Sequence, residues 1–250
     1  MILSFKNFKK QDVRERENIP GCLSTIQNTG QKFSKWAILS TSILLSWVLM
    51  VPNGWCGKVW IGFGDSITQG YPYVTEPGYG RRVGGYEPSL EALIALFGGQ
   101  PMVLNFGIAS ESTASGLNRI RSVITSTNAD SILIMEGTND IWEGISPETT
   151  VFNLNQMIEI CLDDGLRPII ATVTPDERDG VNDVKQIPEK INPAIRQLAE
   201  DQNIPLADQY AAVVDNWDDL VSEDGLHPNA DGYQAIAEEW FRAMLRRRGP

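Results

Sequence analysis

At 250 residues, of which 42% are hydrophobic, the chain is long enough for one sizeable core and an additional segment. Its formal net charge is −11, and from Gly57 onward 14 Lys/Arg stand against 29 Asp/Glu. So acidic a domain disfavours electrostatic binding to nucleic acid or to an anionic membrane surface. Cys22, Cys56, Cys161 and the single histidine, His227, form neither a CxxC pair nor a metal-ligand spacing, so no metal, no cofactor and no disulfide framework is expected.

Residues 1–35 are polar, carry Lys6, Lys9, Lys10, Arg14, Arg16, Lys32 and Lys35, and show no sustained apolar period. A disordered basic leader is expected there. Trp36 to Val51 is a strongly apolar run of sixteen residues, and no charge occurs between Lys35 and Lys58. The run is shorter than the ~20 residues of a spanning helix but suits the apolar region of a signal peptide. Gly54 and Cys56 give a small-x-small pattern before Gly57. Residues 36–56 are therefore expected to be a signal peptide or a membrane anchor, with 36–51 as the possible tether. The basic flank then stays inside and residues 57–250 form an exported domain.

From Lys58 short apolar runs alternate with stretches of helical period. Strands are predicted at 59–63, 102–106, 131–135, 169–173 and from Pro205 to Ala207. Helices are predicted at 86–97, 112–127, 147–163 (with Pro147 in its first turn), 186–202 and 231–248. Strands that are apolar throughout and alternate with helices imply a mostly parallel five-stranded sheet covered on both faces, an α/β/α sandwich. In such sheets the sites form beyond the carboxyl ends of the strands. Gly64-Asp65-Ser66, Asn105 to Ser112 and Gly137-Thr138-Asn139-Asp140 each stand where a predicted strand has just ended, so the fold brings them to one rim.

Among these, Ser66 is the candidate nucleophile, at a strand-to-helix turn with free backbone N–H groups; Asp65 or Ser66 as a plain helix cap is the competing reading. Asn139 offers a side-chain amide to a developing oxyanion, and an Asx-turn is its alternative. The Asn105–Thr113 stretch offers a backbone N–H, or simply a helix start. His227 is the one imidazole able to shuttle a proton near neutral pH, and Asp224, three residues before it across Gly225, is positioned to hold it. Tyr71 to Arg82 follows the nucleophile. Its aromatics suit stacking on sugar rings, and Arg81 and Arg82 suit an anionic group.

Gly64-Asp65-Ser66-Ile67-Thr68, Asn105 to Thr113, Gly137-Thr138-Asn139-Asp140 and Asp224-Gly225-Leu226-His227-Pro228 resemble, in order, the four diagnostic blocks of the SGNH (GDSL-type) hydrolases, whose domain would cover residues 58–248. The resemblance implies an α/β/α, flavodoxin-like fold and ester hydrolysis by a Ser-His-Asp triad. Ser66 matches the nucleophile, His227 the general base and Asp224 the carboxylate that orients it. The Ser66 N–H and the Asn139 amide match oxyanion donors. The second block departs from the pattern: where the family's second glycine supplies an oxyanion N–H, this chain has Ser110, with Gly107 at the earlier glycine as the alternative donor. The family is compatible with a short acyl ester on a carbohydrate or a lysophospholipid, and Asp65, Tyr71, Arg81 and Arg82 are the expected substrate contacts. An acyltransferase on the same scaffold and a non-catalytic carbohydrate-binding module are the other readings.

Overall fold

The computed structural model describes residues 56–81, 84–178 and 185–246. The expected leader, the apolar segment 36–51 and Arg82 lie outside these residues. Within them, no helix is long and apolar enough to cross a membrane.

The chain alternates as expected. Strand β1 (Cys56–Gly64) leads into a four-residue helix, α1 (Ser66–Gln69), and then α2 (Glu87–Leu96). Next come β2 (Gln100–Gly107), α3 (Thr113–Ser126), β3 (Ser131–Met135) and the short α4 (Thr138–Trp142). Helix α5 (Pro147–Asp163) and β4 (Arg167–Ala171) follow, then a π-helical turn (Ile187–Ile191) continued by α6 (Asn192–Asp201) and β5 (Leu206–Ala207). Two short helices, α7 (Gln209–Val213) and α8 (Trp217–Leu220), precede the closing α9 (Ala230–Leu245).

All five strands pair in parallel, in the order β2-β1-β3-β4-β5. Side chains of successive strand residues point to opposite faces, so an all-apolar strand supplies two cores at once. Ile61, Phe63, Ile132, Ile134 and Ile170 enter one core with residues of α3, α5 and α6. Trp60, Leu133, Met135, Ile169 and Ala171 enter the other with residues of α2 and α9. Full burial of each such side chain contributes roughly 1.5–3 kcal/mol.

The predicted fourth strand runs past the observed end at Ala171: the Thr172 N–H still donates to the Ala207 carbonyl of β5 (3.1 Å), but Val173 leaves the ladder. The Asn192 side chain takes over there, accepting from the Val173 N–H (2.8 Å) and donating to its carbonyl (2.9 Å).

The chain moves from β1 outward to β2, then returns to the other side of β1 to lay down β3. That reversal opens a crevice at the carboxyl ends of β1 and β3, where open α/β sheets bind their ligands. Ser66 follows β1 and Asn139 follows β3.

Candidate functional site

Strand β1 stops at Gly64, whose missing Cβ is required: it would collide with the Met135 carbonyl and the Thr68 hydroxyl. The next residue, Asp65, caps α1 by accepting from the Ile67 N–H at 2.9 Å. Ser66 is then the first helical residue, where N–H groups lack intrahelical acceptors. Its hydroxyl lies 2.8 Å from His227 Nε2.

His227 sits in a tight loop between α8 and α9. One oxygen of Asp224 accepts from the Leu226 N–H (3.0 Å) and the His227 N–H (2.9 Å), and the other is 2.7 Å from His227 Nδ1. Gly225, at φ +73°, makes this turn possible, with its carbonyl bound by the Glu177 N–H at 2.9 Å. Partial burial works to raise the Asp224 pKa, but the His227 and Leu226 N–H bonds and the imidazole outweigh it and hold the carboxyl below its ordinary range. An ionised carboxylate only accepts, so Nδ1 must carry the proton and Nε2 is left as the acceptor for the Ser66 hydroxyl. The arrangement can draw a proton from Ser66 and stabilise the imidazolium that results. Tyr71 packs its ring against the imidazole, with centroids 4.5 Å apart, and stays 36% exposed.

Facing Ser66 is the turn after β2. Gly107 donates its N–H to the Asn105 side chain (2.9 Å), Ile108 to the Gly64 carbonyl (2.9 Å), Ala109 to the Gln69 side chain (2.7 Å) and Glu111 to the Ile108 carbonyl (3.2 Å). The Ser110 N–H, like that of the buried Ser112 just before α3, has no protein acceptor among the described residues. Gly107 is therefore corrected as an alternative donor, because its N–H is already spent inside the fold. Ser110 is exposed and has φ +60°, the left-handed region that favours glycine, at a cost of about 1–2 kcal/mol for a non-glycine residue. The Asn139 amide donates one hydrogen to the Glu111 carbonyl at 2.9 Å and keeps a second. Asp140 beside it binds the Thr113 N–H (2.8 Å) and the hydroxyls of Thr113 (2.5 Å) and Thr150 (2.7 Å), pinning the third block to the second.

One expected substrate contact, Asp65, is turned away from this site. Asp65 is only 1% exposed and points into the protein as a cap. Burial, together with the nearby charges of Glu111 and Asp140 and against the bonds from Ile67 and Thr138, pushes its pKa up to about 7. Arg81 pairs its backbone with Asn105 on the outer edge of β2, and the Asn105 N–H donates to its carbonyl at 2.9 Å.

The raised Asp65 pKa has a consequence for stability. Between the ordinary value of 3.8 and about 7, the folded protein holds a proton that the unfolded chain has lost, so stability falls as pH rises across that window. Asparagine also caps helices well and does not titrate. The Asp65→Asn variant should keep the fold and flatten this slope, as read by melting temperature at pH 4 to 7. An unchanged slope would remove Asp65 as its source.

The sequence reading missed the exposed Trp142 of α4, one helical turn beyond Asn139. It lies beneath the guanidinium of Arg178, 5.0 Å from its ring centroid, while Arg178 is held by Asp176 at 2.7 Å. Residues 177–178 in turn pack on Gly225, so this pair links the Asn139 side of the crevice to the His227 side. Tyr71 lies against His227, Tyr73 meets Tyr233 of α9 edge-on (6.2 Å between centroids), and Tyr73 and Trp142 are 61% and 60% exposed.

A family model, that of the GDSL-like lipase/acylhydrolase family, matches residues 63–235. An arylesterase of Vibrio mimicus is 28% identical over 176 residues, covering 70% of this chain and 82% of that protein. The solved lipase/acylhydrolase of Enterococcus faecalis is 25% identical with a TM-score of 0.66, over 75% of this chain and 95% of that one. A variant of an acetyl xylan esterase of Geobacillus stearothermophilus, at 20% identity and a TM-score of 0.64, shares the fold over 76% of this chain and 95% of its own.

Proposed function

The chain belongs to the GDSL-like lipase/acylhydrolase family and hydrolyses ester bonds, and from that premise we propose that it works through an acyl-enzyme on Ser66. The observation that carries this reading is the continuous relay from Ser66 Oγ to His227 Nε2 (2.8 Å) and from His227 Nδ1 to Asp224 (2.7 Å). The Ser66 oxygen attacks the ester carbonyl carbon while its proton passes to Nε2. The carbonyl oxygen becomes an oxyanion that accepts from the Ser66 and Ser110 N–H groups and the free Asn139 amide hydrogen. The intermediate collapses, the alcohol leaves with the proton from Nε2, and water, deprotonated by the same nitrogen, releases the acid.

For the substrate we propose a short acyl ester of a ring-bearing alcohol, a sugar or an aryl group. The partly exposed ring of Tyr71 against His227, with the exposed Tyr73 two residues on and the exposed Trp142 one helical turn beyond Asn139, supports it, since aromatic rings offer flat apolar area for stacking. The arylesterase relative supports the aryl side. Export rests on the apolar stretch 36–51 behind its basic flank.

The test is a panel of nitrophenyl esters with acyl chains of two to twelve carbons, with acetylated sugars beside it, followed by a fluorophosphonate probe and peptide mapping. Turnover should be greatest for the short acyl groups and for ring alcohols, and the probe should label Ser66 stoichiometrically. A label on another residue, or a preference for long acyl chains, would overturn the corresponding half of the proposal.

A further inference from the structure

Beneath the rim, a single buried side chain touches the ends of β1 and β2 and the residue whose carbonyl holds Asn139. Arg119 projects from α3 with 13% of its side chain exposed and lies flat on the Phe63 ring, 4.0 Å from its centroid. Its Nη2 donates to the Phe106 carbonyl near the end of β2 (2.7 Å) and reaches the Gly64 carbonyl at the end of β1 (3.4 Å). Its Nε lies 2.6 Å and 2.9 Å from the two carboxylate oxygens of Glu111, and Nη2 contacts the same carboxylate. Glu111 follows Ser110 directly, and its carbonyl is the acceptor for Asn139. The buried Glu136, which leads from β3 into the Asn139 loop, faces Glu111 and Arg119. Burial first, and then the charges of Glu111 and Asp65, push it well above the ordinary carboxyl range. The pairing of the guanidinium with the Glu111 carboxylate is what lets an arginine stay inside the protein.

We infer that Arg119 is the positioning residue of the oxyanion site: its planar fork fixes the Gly64–Ser66, Phe106–Ser110 and Glu111–Asn139 segments relative to one another. The inference rests on the reading of Ser66, Ser110 and Asn139 as oxyanion donors. Its physical basis is that donors must meet the oxyanion at about 2.7–3.1 Å, so a shift in the floor that carries them is felt in the transition state far more than in substrate binding. Sequence alone gave no sign of it, because Arg119 reads as an ordinary charge on an amphipathic helix.

The experiment measures kcat and KM for Arg119→Met, Arg119→Lys, Glu111→Gln, Asn139→Ala and the double variant Arg119→Met/Asn139→Ala, with a melting curve for each. Arg119→Met should lower kcat by on the order of 10–100-fold with KM within about twofold. Arg119→Lys, which keeps the charge and a donor, should recover part of the loss, and the pH profile should keep its shape because Arg119 does not touch His227. Acting partly through Asn139, the arginine should show non-additivity: the double variant should lose less than the product of the two single losses. A lowered melting temperature with unchanged kcat, or full multiplicativity in the double variant, would overturn the inference. Should Arg119→Met fail to fold, Arg119→Lys and Glu111→Gln decide it, since both must then show the kcat loss at unchanged KM. Unimpaired turnover in Asn139→Ala would instead overturn the donor reading beneath it.

Discussion

Alanine at Ser66 or at His227 should each reduce kcat on a short-chain nitrophenyl ester by about 10^4-fold or more, while the double substitution costs little beyond either one. The reason is that the two side chains perform one act. Without the hydroxyl there is no acyl-enzyme, and without Nε2 the hydroxyl keeps its proton. Because the chain has one histidine, no neighbouring imidazole can take the proton instead. The fold should survive both changes. Ser66→Ala removes one hydroxyl, and the capping of α1 belongs to Asp65. His227→Ala removes the Tyr71 ring contact and two side-chain bonds, at about 1 kcal/mol per bond, but the loop backbone keeps its tie from Ser222 N–H to the residue-227 carbonyl (2.7 Å). Melting curves close to that of the parent, with turnover gone, are the expected pair of results. Undiminished hydrolysis in either variant would sink the Ser66–His227 mechanism. The residual rate, set by the oxyanion donors alone, should respond to Asn139→Ala.

Those residues were legible in the sequence because the chemistry needs particular residue types at fixed places relative to strand ends. The α/β order was legible because a strand buried on both faces leaves an unbroken apolar run, as in Ser131–Met135, and a packed helix leaves a 3.6-residue period, as in 147–163. What stayed hidden was direction and long-range pairing. Asp65 stands next to the nucleophile in sequence yet points the opposite way, because the turn into α1 rotates the chain between them. Arg119 meets Glu111 eight residues back and the Gly64 carbonyl 55 residues back, separations that no periodicity records. Whether Gly107 or Ser110 keeps a free N–H depends on Asn105 and Gln69 reaching the intervening groups, which is decided by tertiary packing. Helices α7 and α8, of five and four residues, are too short to leave a period and are held by tertiary contacts of Val213 and Trp217.

Asp224 holds the second large effect, and its two jobs can be separated by substitution. One oxygen shapes the turn by accepting from the N–H groups of Leu226 and His227, and the other fixes the imidazole tautomer through Nδ1. In Asp224→Asn the amide oxygen can keep the backbone bonds, so stability should change by less than about 1 kcal/mol. The amide nitrogen then faces Nδ1 as a donor. The imidazole answers by moving its proton to Nε2, which can no longer accept from Ser66, and kcat should fall by about 10^4-fold. In Asp224→Ala nothing opposes the productive tautomer, but both backbone bonds lose their acceptor, at a cost of about 1–3 kcal/mol. The two variants should therefore rank in opposite orders: asparagine more stable, alanine more active. Thermal melting and kcat measured on the same preparations check both rankings. If asparagine were the more active of the two, Asp224 would be a bracket for the turn, and the orientation of His227 would have to come from Tyr71 and the loop backbone instead.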